Sequence, residues 1–243
     1  MKRIIILNKK EGETSLQALE TFRKKHPAYK SVKMTYAGRL DPMASGLLLI
    51  LADEEVKNKE KYLKLGKTYE FEILFGFATD TYDILGKINS KILTNIRISN
   101  SLIKSNLIYF RGQFLQKYPA YSSKTWVIAR RGESIEAEAR QVTVYQLYLT
   151  KLKLISSKKL LSNIERRIKK VSGDFRQKEI LNLWRKKLKK KESYYIGNFK
   201  VSSSSGLYVR SIAHELGKRM GVPALAYSIK RTKIGKWINS GVE

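Results

Sequence analysis

Between Lys67 and Phe77 the chain alternates with a period of two: Tyr69, Phe71, Ile73, Phe75 and Phe77 are apolar, and Thr68, Glu70 and Glu72 stand between them. Successive side chains of a strand point to opposite faces, so this stretch is a half-buried β-strand whose aromatic face another layer must cover. A second alternating stretch, from about Val142 to Leu154, is a natural companion. Helical periods elsewhere supply the covering layer. Leu16, Leu19 and Phe22 share one helical face after a cap at Thr14 or Ser15, with His26 and Pro27 closing the helix. Arg97 to Ile108 predicts another helix, and Tyr208 to Met220 a third, ended by Gly221 with Pro223 just beyond. Arg3 to Asn8, Phe199 to Ser203 and Ile229 to Trp237 read as further strands. Phe110 to Arg140 has mixed turn chemistry and reads as a long connection that orders on binding.

At 243 residues the chain can bury one substantial core, or two small ones, and one main domain is the default. It has no cysteine, which removes disulfides, thiol nucleophiles and cysteine-based zinc sites, and His26 and His214 cannot build a metal cluster by themselves. After Met1-Lys2-Arg3 the apolar run Ile4 to Leu7 is too brief for a signal peptide or a membrane span, which points to the cytoplasm. Against 21 acidic residues stand 49 Lys and Arg, a net charge of +28, so the expected partner is a polyanion, nucleic acid first. The segment 157–192 concentrates this charge, with 14 basic residues against four acidic and a local charge of +10. Ile164, Ile168 and Val171, then Ile180, Leu181, Trp184 and Leu188, have helical spacing there. Two basic amphipathic helices are therefore expected between strands, either facing RNA or simply solvated.

The candidate chemistry lies in Gly38-Arg39-Leu40-Asp41-Pro42-Met43-Ala44-Ser45-Gly46, which runs into Leu47-Leu48-Leu49-Ile50. An aspartate before proline is extended or in a turn, and small neighbours leave its carboxylate uncrowded. The same residues serve equally as a helix N-cap. Gly66-Lys67-Thr68 ends like a phosphate-binding loop, but that motif needs glycine at position 61, where the chain has Lys61. A nucleotide-hydrolysing enzyme is rejected on that ground.

Five blocks in register carry a resemblance. They are the Gly38–Ile50 segment, Lys67-Thr68-Tyr69, Gly76 to Gly86, Pro119-Ala120-Tyr121-Ser122-Ser123-Lys124, and Ser204 to Ser211. In order and spacing, from the first strand to about Trp237, the chain resembles the TruB family of tRNA pseudouridine synthases. The resemblance implies the α/β (α+β) pseudouridine synthase fold, a mixed, mostly antiparallel sheet flanked by helices, as one catalytic domain over 1–243. It implies Asp41 as the catalytic carboxylate. It makes Tyr69 the ring that stacks on the target base, and Tyr208 and Arg210 the pocket residues, Arg210 pairing with the aspartate. Lys67, Lys124, Arg166, Arg167, Lys169 and Lys170 are the expected RNA-binding cations, and 110–140 the loop that closes on RNA. The substrate implied is a T-loop uridine at position 55 of tRNA, bound by a monomer without metal, nucleotide or other cofactor. Isomerising uridine to pseudouridine loses no atom and no electron. Breaking the N-glycosidic bond develops positive charge on the sugar, so one ionised carboxylate is the minimum equipment, and a neighbouring arginine favours that form and aims it. Tyr69 offers a flat face to an extruded uracil, although the residue by itself reads as a core tyrosine. Asp80 is expected to order its loop through Thr79 and Thr81, and His214 to be structural.

The chain departs from the family pattern in four places. The early Lys-Pro-x-Gly motif is here Lys9-Lys10-Glu11-Gly12; a histidine before the aspartate is replaced by Tyr36, whose ring can still stack; Arg39 gives a Gly-Arg-Leu-Asp form seen in other pseudouridine synthases; and the C-terminal RNA-binding PUA domain that the family commonly adds is expected to be lacking after Trp237. The basic helices of 157–192 are expected to substitute for that domain, as a part separable from the fold. Alternative functions are a pseudouridine synthase of ribosomal RNA, or a basic RNA-binding protein whose site has decayed.

Overall fold

The computed structural model describes residues 1–92, 97–117, 139–188 and 192–238. Strands β1 (Ile4–Lys9), β2 (Met34–Ala37), β3 (Ala44–Ala52), β4 (Lys67–Phe75), β7 (Gly112–Lys117), β8 (Ala139–Ser156), β9 (Ser193–Ser203), β10 (Ala224–Ile234) and β11 (Trp237–Ile238) form one sheet. Its order is β1-β3-β10-β4-β9-β8-β7, with β2 beside β3 and β11 beside β10. Among the described residues only β3 and β10 pair in parallel; the other strand pairings of this sheet are antiparallel. A separate ribbon joins β5 (Phe77–Thr79) to β6 (Ile88–Lys91).

The helices are α1 (Ser15–Lys25), α2 (Lys59–Leu63), α3 (Asn100–Leu107), α4 (Ser157–Ile168), α5 (Gln177–Lys187) and α6 (Val209–Arg219). Thr14 caps α1 in a capping box with Gln17. No helix among the described residues is long and apolar enough to cross a membrane.

On one face Tyr69, Phe71, Ile73 and Phe75 of β4 meet Phe199 and Val201 of β9 beneath α3 and α6. On the other, Leu74, Ile196 and Leu225 meet Leu160, Ile164, Ile180 and Trp184 of α4 and α5. The basic segment is therefore no separable arm: removing it would open this second core, at a cost of several kcal/mol for Trp184 alone. Phe77 also departs from the expected alternation. Gly76, at φ +107, ends β4 and redirects the chain, so that Phe77 enters the second core against Trp184, with ring centroids 5.0 Å apart, rather than following Phe75. The connection expected over 110–140 is shorter, because Gly112–Lys117 and Ala139–Val144 pair as strands; residues 118–138 lie outside the described ones.

Candidate active site

The turn carrying Asp41 joins β2 to β3. It closes by the Ala44 amide donating to the Asp41 carbonyl at 3.0 Å and leads into a strand, so Asp41 is not a helix cap. Its neighbours are tied on every side. Leu40 sinks into the first core and Met43 into the second. The Ser15 hydroxyl lies 3.0 Å from the Leu40 amide and 3.2 Å from its carbonyl, and the Pro42 carbonyl accepts from the Gly12 amide at 2.8 Å. Arg231 of β10, 1% exposed, donates from Nε to the Leu47 carbonyl at 2.7 Å, from Nη2 to that of Gly38 at 3.1 Å and from Nη1 to that of Arg39 at 3.3 Å. Gly38 is at φ +87, and a Cβ there would stand 3.7 Å from the Arg231 guanidinium. Against this fixed frame the Asp41 side chain remains 41% exposed.

Arg210, in the first turn of α6, is 4% exposed and faces the turn. Its Nε lies 2.8 Å from Asp41 Oδ2, its Nη2 donates to Oδ1 at 3.3 Å, and its Nη1 donates to the Thr81 carbonyl at 2.6 Å. A second carboxylate, Asp83, lies 4.0 Å from Nε and is buried. Asp83 Oδ1 accepts from the Thr81 hydroxyl at 2.7 Å and the Leu85 amide at 2.9 Å. Burial pushes the Asp83 carboxyl above the usual carboxylate range while Arg210 opposes that rise. Burial alone would lower the Arg210 pKa, but Asp41 and Asp83 outweigh it and hold the guanidinium charged. The arginine is thus braced from behind by one carboxylate while it aims another outward.

The sequence reading missed Asp83. It gave the loop-ordering role to Asp80, whose Oδ1 instead accepts from the Lys87 amide at 2.8 Å and whose Oδ2 pairs with Arg176 at 2.9 Å. The available signal was that Asp83 belongs to the same Gly76–Gly86 block. Lys9 was missed as a buried group. Its ammonium donates to the carbonyls of Lys10 at 2.8 Å and Glu13 at 2.6 Å, and burial depresses its pKa to about 8 against the attraction of Glu13 and Asp41.

Tyr69 sits on β4, opposite Arg231 in register, 8% exposed in the cluster that holds Leu40 and Ala44. Tyr208 is the N-cap of α6, with its backbone held by Gln116. Tyr36, partly exposed on β2, has Arg39 5.8 Å and Lys59 5.9 Å from its ring centre. His214 stacks on Tyr82 at 3.9 Å, and burial lowers its pKa.

Two of the expected RNA-binding cations are turned inward. The Lys67 ammonium donates to the carbonyls of Leu63 at 2.7 Å and Leu65 at 2.6 Å, and its burial beside Arg231 lowers its pKa to about 8. Arg167 is 5% exposed, pairs with Glu11 at 2.6 Å and covers the Tyr227 ring at 4.7 Å. Both serve the fold because strand and helix geometry point them into the cores. Arg166, Lys169 and Lys170 are exposed, and Lys124 lies outside the described residues.

Solved structures share this fold. A Cbf5–Nop10–Gar1 complex aligns with TM-score 0.60 at 18% identity over 98% of this chain and 50% of that one. An H/ACA ribonucleoprotein bound to a substrate RNA containing 2′-deoxyuridine aligns with TM-score 0.58 at 17% identity, over 98% and 49%. The chain thus spans about half the length of those structures. Residues 24–165 match the TruB family pseudouridylate synthase (N terminal domain) model. The tRNA pseudouridine synthase B of Aquifex aeolicus (strain VF5) is 29% identical over 240 residues, 96% of this chain and 69% of that protein. That of Limosilactobacillus reuteri (strain DSM 20016) is 30% identical over 242 residues, 97% and 68%. The chain belongs to the TruB family of RNA uridine-to-pseudouridine isomerases.

Proposed function

We propose that the chain converts a uridine of the tRNA T-loop, at position 55, to pseudouridine, and that it acts as a cytoplasmic monomer without a cofactor. The observation that carries this reading is the Arg210–Asp41 pair, with Nε 2.8 Å from Oδ2, on a turn fixed from both cores. The reaction breaks the bond from ribose C1′ to uracil N1, turns the base, and joins C1′ to C5. The proton leaves C5 and N1 gains one, so atoms and electrons balance within the nucleotide and solvent. In this reading Asp41 acts on the sugar, either as nucleophile at C1′ or as base for the C2′ proton; both routes need a carboxylate that is aimed and partly open to a ligand. The uridine must first leave its stack. Tyr69 then lies beneath the base as an apolar face, and Tyr208 lines the pocket beside Arg210. Tyr36 remains available to stack on the opened loop, with Arg39 and Lys59 beside its ring.

Incubation with an unmodified tRNA transcript, followed by mapping of pseudouridine, tests the reading. Wild-type protein should place product in the T-loop, and Asp41→Asn should place none. Product at another site or in ribosomal RNA alone would overturn the substrate; equal product from both proteins would remove Asp41 from its role.

A further inference from the structure

The turn that joins α4 to α5, residues 169–176, is tied through Gly12 to the turn that carries Asp41. Gly12, at φ +101, makes the junction: a Cβ there would fall 2.7 Å from both the Cβ and the carbonyl oxygen of Lys170. Only glycine lets the two segments meet this closely. The Gly12 amide donates to the Pro42 carbonyl at 2.8 Å, and the Ser172 amide donates to the Gly12 carbonyl at 3.4 Å. Gln17 Nε2 adds a bond to the Ser172 hydroxyl at 3.0 Å. On the α5 side, Arg176 pairs at 2.9 Å with Asp80, in the loop that supplies Thr81 and Asp83 to Arg210. One residue therefore separates this basic turn from Pro42, the neighbour of Asp41.

The cations at the C-terminal end of α4 and the start of the turn divide in two. Arg167 faces inward and is neutralised by Glu11. Arg166, Lys169 and Lys170 are exposed, and among the described residues none of them pairs with a carboxylate. Surface lysines are ordinarily uninformative in a chain of charge +28. Lys170 differs in that its backbone and Cβ pack on Gly12, whose amide is bonded to the Pro42 carbonyl and whose carbonyl accepts from Ser172; Lys169 and Arg166 stand beside it in the chain.

We propose that the α4–α5 turn is an RNA-docking rim on which Arg166, Lys169 and Lys170 hold backbone phosphates of the tRNA substrate on the Pro42 side of the active site. The proposal rests on tRNA being the substrate. Its test measures binding without turnover, so the two can fail separately. Binding of an unmodified tRNA transcript is followed by fluorescence anisotropy across a salt series in an Asp41→Asn background. Lys169→Glu with Lys170→Glu should weaken binding about tenfold near physiological salt and flatten the slope of log affinity against log salt by about 1 to 2. In the catalytically intact protein the same pair should raise KM and leave kcat within about twofold. Lys158→Glu with Lys186→Glu makes the same formal charge change at the far ends of the two helices, and should leave affinity within about twofold and the salt slope as in the parent. Equal weakening by both pairs would show only a diffuse field, and no weakening by the first pair would show no contact; either overturns the rim. Pseudouridine formation by the unsubstituted protein reports on the substrate assignment alone.

Discussion

Gln116 grips Tyr208 by both of its backbone polar groups: Nε2 donates to the Tyr208 carbonyl at 3.0 Å, and Oε1 accepts from its amide at 2.8 Å. Tyr208 is the N-cap of α6 and makes no side-chain capping bond to the helix, so the glutamine on the edge strand β7 sets where that helix begins. Two residues on is Arg210. Gln116 is itself buried between the exposed Leu115 and Lys117, which marks it as a polar group kept inside for what it holds.

Gln116→Leu should therefore lower kcat by about ten- to a hundredfold, since small misplacements of a catalytic pair are costly, and lower stability by about 1–3 kcal/mol through the unpaired Tyr208 backbone groups. KM should change much less. Single-turnover rates and urea unfolding separate the two effects, and a normal single-turnover rate in a folded variant would refute the positioning role.

Asp83→Asn should leave Arg210 with one carboxylate and reduce kcat while the protein stays folded, because the Thr81 and Leu85 contacts can still be accepted by the amide oxygen. The wild-type carboxyl has a raised pKa, so its contribution to stability is greatest below the unfolded value near 3.8 and falls as pH rises through the folded value. Unfolding free energies measured from acid to neutral pH should therefore climb more steeply for the variant than for wild type.

Lys9 titrates near pH 8 in the folded chain against 10.5 as the ordinary value. Across that window the unfolded state holds more protons, so this group's contribution to stability rises with pH. In Lys9→Met the contribution is absent. The difference in unfolding free energy, wild type minus variant, should increase from pH 8 to 10.5; a flat difference would show that the lysine is not desolvated.

Met43→Ala should cost about 2–5 kcal/mol as a cavity in the second core and should also slow turnover, because Met43 anchors the turn two residues from Asp41. Thermal melting and initial rates on tRNA transcript check both parts. A destabilised variant with an unchanged rate per folded molecule would show that Leu40 and Arg231 suffice to hold the turn.

Much of this was legible in the sequence. Period-two alternation located β4 and β8, and helical spacing located α1, α4, α5 and α6 to within a few residues, because each has one face rich in apolar side chains and the pattern records it. Asp41 and Arg210 were brought together by family spacing, not by local chemistry, since Asp-Pro alone reads as a cap. What stayed hidden depends on three-dimensional direction. Lys67 and Arg167 look like surface cations in a basic chain, yet one lies on a strand face and the other on a helix face that both point inward. Gly76 hid the change of core between Phe75 and Phe77. Gln116, Arg231 and Asp83 act on Tyr208, Gly38 and Arg210, which lie 92, 193 and 127 positions away in the chain, and no local pattern encodes such pairings.

Asp41 is held where the fold's two halves are stitched together, with Leu40 belonging to one and Met43 to the other. Its carboxylate can be in register with Arg210 only while both halves are seated. Loosening either by heat, mutation or a truncated helix should silence turnover before the sheet itself comes apart. The rate of pseudouridine formation should therefore double as a gauge of tertiary integrity.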